Sequence, residues 1–99
     1  MSIATLEQFK EFIRELSSDL DSPFQLALEA AGAEANSFCG FDLEAEFDGT
    51  APPSDVVMAV MLLAQVHSDA GDVDTAEYRR VAAHRLLTPY RRDSGLRAA

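Results

Sequence analysis

Between Val56 and Ala64 the chain reads VVMAVMLLA, nine consecutive apolar residues with no polar position among them. Ser54 and Asp55 stand before the run as helix starters and Gly71 lies behind it, which predicts a helix from about 54 to 69. A helix that is apolar on every side has to be buried all round. Nine residues fall far short of the ~20 needed to span a bilayer, so the run has to be covered by protein. A 99-residue chain makes one domain, which is hard pressed to enclose a helix completely. Part of this helix is therefore expected against another subunit, with Val57, Met58 and Met61 as interface candidates and Phe47 beside them.

The covering elements can be read on either side of the run. Thr5 followed by Gln8 is a capping box, and Leu6, Phe9, Ile13, Leu16 and Leu20 then recur at spacings of 3 and 4 as one helical stripe, with SSDLDSPFQ ending that first helix and starting the next. Ser22, Pro23 and Gln25 signal a second start with Ser22 as N-cap. Phe24, Leu28, Ala31, Ala35 and Phe38 line its inner face, Gly32 suggests a close approach of helices, and Gly40 marks its end. Residues 41–53, FDLEAEFDGTAPP, alternate apolar and acidic side chains, the pattern of an extended or hairpin arm, or of a loop pinned by its aromatics. The last helix is expected from Asp74 as N-cap to about Leu87, with Tyr78, Val81, Ala82 and Leu86 inward and Arg79, Arg80 and Arg85 outward. Pro89 is expected to push Thr88 out of helical geometry. The fold class is thus all-α: a small four-helix domain over residues 1–88, an irregular acidic arm between helices 2 and 3, and an extended C-terminal tail over 89–99.

Charge is unevenly placed. Residues 1–55 hold twelve acidic and two basic side chains, residues 56–99 five and six, for a net charge of −9. Six of the eight basic residues fall in the last 21 positions. An acidic body repels nucleic acid, whereas a molecule with unlike ends can associate head to tail with its own copies. The N-terminal MSIATLEQFKEF lacks the basic flank and apolar stretch of a signal peptide, so a soluble chain is expected. The single cysteine, Cys39, excludes an internal disulfide.

Chemistry finds little to work with. Cys39, His67 and His84 do not pair at zinc-like spacing, and no metal or cofactor is expected. Counted from Asp42, a calcium loop would need glycine where Phe47 stands and a bidentate glutamate where Pro53 stands, so the EF-hand reading fails. No nucleophile elbow, zinc-protease helix, P-loop or dinucleotide fingerprint occurs, and no enzyme is expected. The basic C-terminus is either a solvated tail or a docking peptide. For docking, LLTPYR offers two leucines, a stiffening proline, a tyrosine anchor and flanking guanidinium groups, and tyrosine and arginine dominate interface energetics.

Taken in order, TLEQFKEFIREL, the acidic break SSDLDSP, LALEAAGAEANSFCG, PPSDVVMAVMLLAQVHSD and the closing VAAHRLLTPYR resemble the small helical head–tail connector (adaptor) proteins of long-tailed bacteriophages and gene transfer agents, which commonly end in Leu-Leu-x-Pro-Tyr-Arg. The resemblance implies a structural virion protein of the neck, made in the bacterial host cytoplasm. It would form a ring of about twelve copies under the portal protein, a closed heterologous assembly. Such a ring would extend the DNA channel without sequence-specific binding and present a surface to a head-closure or tail-completion protein, with no membrane involved. In such proteins the C-terminal segment embraces the portal, so Leu86, Leu87, Pro89, Tyr90, Arg91 and Arg92 are the expected contacts with the portal or a neighbouring subunit. Two other classes compete: a small monomeric interaction module of regulator or antitoxin type, and a cation-binding module using Asp42 to Asp48.

Overall fold

A computed structural model describes residues 3–68 and 72–92. Over that span the chain is all-α, with α1 at Leu6–Ile13, α2 at Asp21–Cys39, α3 at Leu43–Glu46, α4 at Ser54–Ser68 and α5 at Val73–Leu87, followed by a 3₁₀ turn at Thr88–Tyr90. The apolar run lies in α4 at the centre, packed mainly between α2 and α5 and touched by α1. Val56, Ala59, Val60, Leu63 and Ala64 are buried, and Val57, Met61 and Leu62 are partly buried against the same core. Only Met58 on this helix is an exposed large apolar residue. The chain therefore covers most of α4 itself and leaves only a small part of this helix for another subunit to cover. Alanines make this possible: Ala31 and Ala35 of α2 and Ala83 of α5 are fully buried, and their small side chains bring the flanking helices close.

The capping box on α1 is formed, with Gln8 N donating to Thr5 Oγ1 at 3.1 Å and Thr5 N donating to Gln8 Oε1 at 2.9 Å. The helix ends at Ile13, short of Leu16 and of the SSDLDSP break. Arg14 adopts a left-handed φ of 62°, its N–H returns to Glu11 O, and Glu15 N closes on Lys10 O at 2.8 Å. That C-terminal motif turns the chain toward α2 and leaves Leu16 97% exposed. Phe9 and Phe24 meet edge to face at 5.5 Å to join the two helices.

Helix α2 starts at Asp21 with Leu20 in the N-cap position and no side-chain cap, so Ser22 is not the cap. Pro23 sits inside the first turn, where its missing N–H costs nothing. Gly32 has no atom within 4 Å of where a Cβ would stand, so the close approach belongs to Ala31 and Ala35 and not to the glycine. Gly40 ends the helix at φ 86° as expected.

The acidic arm is neither strand nor hairpin. Asp42 caps a single turn, α3, accepting from Glu44 N and Ala45 N, and Leu43 N donates to Asn36 Oδ1 at 2.9 Å. Leu43 is fully buried and Phe47, four residues on, packs on the core. With no strand among the described residues to satisfy its backbone, the segment closes its hydrogen bonds locally.

In α5 the N-cap is Asp72, not Asp74; it accepts from Asp74 N at 3.2 Å and from Thr75 Oγ1 at 2.6 Å. The helix is also rotated from expectation. Ala83 and Leu87 are buried, whereas Tyr78 is 78% exposed and Val81 faces solvent, with Ala82 and Leu86 at the margin. Arg85 points outward, but Arg80 turns in toward α2. Two apolar stripes compete on this helix, and the one with the smaller residues wins because it fits between α2 and α4.

Candidate partner-binding site

The six residues expected to dock a partner all lie in the described chain, and most of them hold the chain's own end in place. Leu87 is fully buried in the core and Leu86 is packed against it, so Leu87 fills no pocket on another molecule. Thr88 keeps helical angles, φ −52° and ψ −43°, instead of being forced out of them. Its hydroxyl donates to His84 O at 2.8 Å, and the chain passes directly into the 3₁₀ turn. The boundary drawn at 88/89 is therefore not a break, since residues 89–92 continue along the body; residues 93–99 of the expected tail fall outside the described residues.

Tyr90 Oη donates to Asp55 Oδ1 at 2.7 Å, at the start of α4. This hydrogen bond holds the phenol's pKa above its ordinary value, because loss of the proton would set two anions together. Arg92 is held three ways. Its N–H donates to Cys39 O at 2.8 Å, its guanidinium lies 3.8 Å over the Phe41 ring, and Nη2 pairs with Glu46 at 2.8 Å. Arg91 sits 5.1 Å over Phe38, which also stacks on His84 at 4.3 Å. Gly40 is needed here twice over: its φ is positive, and a Cβ would lie 3.0 Å from Arg92 O. Pro89 and Arg91 are exposed. Of the interface candidates, Val57, Met61 and Phe47 are part of the chain's own packing and Met58 is exposed.

A second cluster had no counterpart in the sequence reading. Glu34 on α2 accepts from Arg80 Nε at 2.8 Å and Nη2 at 3.1 Å, and lies 2.9 Å from His67 Nε2 and 3.1 Å from His84 Nε2. A carboxylate only accepts, so each imidazole carries its proton on Nε2. The Arg80 hydrogen bonds, with help from both histidines and against a desolvation cost, pull the Glu34 pKa down to about 2. The cluster locks α2, α4 and α5 together at one point. The signal was present in Arg80 and His84, four apart on one face of α5, but their acceptor lies 46 and 50 residues away.

Burial raises the Cys39 thiol pKa, which disfavours the thiolate. Among the described residues no group of three or more His, Cys, Asp or Glu side chains is arranged to hold a metal ion, and no helix is long and apolar enough to cross a membrane. In the acidic arm Asp42 is occupied as a cap and Glu46 by Arg92. No family model, curated protein or solved structure matches the chain.

Proposed function

We propose that the chain is the subunit of a head–tail connector, a structural ring beneath a phage-type portal that extends the DNA channel and carries the next neck protein. The observation that carries this reading is the closing Leu-Leu-Thr-Pro-Tyr-Arg segment and the way it is held. Leu87, Tyr90 and Arg92 fasten the segment to α2, α3 and α4. Arg92 therefore sits at a defined point on the body, and Pro89 and Arg91 are left accessible beside it. A segment already held in place binds with less entropy lost than a loose one. The net charge of −9 suits a channel wall along which DNA slides without being gripped.

The test is co-sedimentation with portal-bearing, tail-less capsids. Chain ending at Arg92 keeps every anchor described above and should stay folded but lose capsid binding if residues 93–99 embrace the portal. A full-length protein that never sediments with capsids, and remains a monomer, would leave a small interaction module as the better reading.

A further inference from the structure

A cleft opens where the residues before α1, helices α2 and α4 and the acidic arm come together. Ile3, Phe47 and Pro52 line one hollow of about 300 Å³, together with Asp42, Glu44 and Asp48. Leu28, Val60 and Gly32 line a second of about 250 Å³, together with Glu29. Ile3 and Glu44 line both, so the two hollows adjoin. Ile3, Leu28 and Val60 belong to the buried core, which makes the floor of the cleft apolar. The four carboxylates are exposed above it, and no lysine, arginine or histidine among the described residues lines either hollow.

Gly32 sits in the middle of α2, where glycine is the poorest helix former after proline. Neither a positive φ nor a close helix contact calls for it. Among the described residues no atom lies within 4 Å of where its Cβ would stand. The missing side chain leaves the second hollow open down to the helix backbone. Each hollow lies at or below the lower end of the ~300–1,000 Å³ usual for small-molecule pockets. Two such hollows side by side over an apolar floor suit successive side chains of a peptide laid across them. The carboxylates around them set the sign of its charge.

We infer that this cleft takes a short segment of a protein partner in which apolar residues are flanked by lysine or arginine. Its apolar side chains lie on Ile3, Leu28 and Val60, and the one beside Gly32 reaches the α2 backbone. Asp42 Oδ1 is committed to the start of α3, so Glu29 and Asp48 are the main partners of the cationic groups. Glu29 accepts a long hydrogen bond from Gln25, 3.4 Å, which a charged donor replaces with a stronger one. The inference goes beyond the connector reading and does not depend on it.

The probe is the peptide acetyl-Lys-Leu-Arg-Leu-Lys-amide, titrated into the isotope-labelled full chain and followed by amide chemical shifts. Spermidine and acetyl-Glu-Leu-Glu-Leu-Glu-amide are the controls. The basic peptide should give saturable shifts at the Glu29, Gly32 and Asp48 amides with a Kd of about 1 mM or tighter, and the controls none. Gly32→Leu puts a side chain into the second hollow and favours the helix, so it should stay folded by circular dichroism and bind at least ~10-fold more weakly. Glu29→Gln combined with Asp48→Asn should bind at least ~3-fold more weakly and lose most of the salt dependence. No shift at these amides, an equal response to the acidic peptide, or a folded Gly32→Leu that binds like wild type overturns the inference. Should Gly32→Leu unfold, undiminished binding by the charge variant overturns it instead. Spermidine producing the same shifts also overturns it, in favour of a site for a free polyamine.

Discussion

Glu34→Gln should weaken the domain at neutral pH and matter progressively less in acid. The carboxyl's descent from an ordinary 4.5 to about 2 corresponds to a ceiling of about 3 kcal/mol at about 1.4 kcal/mol per unit. The side chain is 21% exposed and its three partners 30–35%, so solvent screens much of that. A realistic contribution is about 1–2 kcal/mol. In a domain of this size that lowers Tm by roughly 4–16 °C. The sign follows from the depressed folded-state pKa. The unfolded chain holds the Glu34 proton up to about pH 4.5, so the stabilisation is full above that pH and is lost as pH falls from 4.5 through 2. Thermal melts of wild type and Glu34→Gln followed by circular dichroism at pH 7, 4 and 2.5 would measure the gap and its closure. A gap at pH 7 no larger than scan error, or one that stays constant down to pH 2.5, would refute the assignment of Glu34 as the point joining α2, α4 and α5.

Three further outcomes are expected. Gly40→Ala should destabilise by at least the roughly 1–2 kcal/mol of a left-handed non-glycine residue, with added cost from the 3.0 Å approach to Arg92 O, read by urea unfolding. Gly32→Ala meets no neighbour and should stabilise by up to about 1 kcal/mol, read in the same experiment. Tyr90→Phe should leave the fold and Tm nearly unchanged while speeding hydrogen exchange at the Arg92 amide, which donates to Cys39 O; unchanged exchange would mean that the Asp55 contact does not restrain the C-terminal segment.

The elements that could be read from the sequence were those set by local chemistry. The Thr5–Gln8 box, the Gly40 stop and the helix that carries the apolar run 56–64 depend on residues within a turn or two, and each appears where expected. Errors arose where the chain had two local solutions. The Leu6-to-Leu20 stripe continues through Arg14, which enters left-handed geometry without the glycine that usually announces it. The acidic arm has strand-like alternation but no strand beside it among the described residues, and Asp42 caps a helical turn instead. On α5, periodicity alone could not choose between the Tyr78–Val81 stripe and the Ala83–Leu87 stripe, because the choice depends on how closely α2 and α4 allow a third helix to approach. For the candidate site, residue types pointed to Tyr90 and Arg92, but their targets, Asp55, Cys39 and Glu46, are defined only by the tertiary fold.

The connector reading itself is tested most directly by electron microscopy of the protein bound to portal-bearing, tail-less capsids, with copy number from quantitative mass spectrometry. A connector subunit should give density at the portal vertex from a closed ring of about twelve copies, with the C-terminal end of each subunit turned toward the portal. A bare vertex on every particle, with the protein monomeric in the same solution, would contradict it.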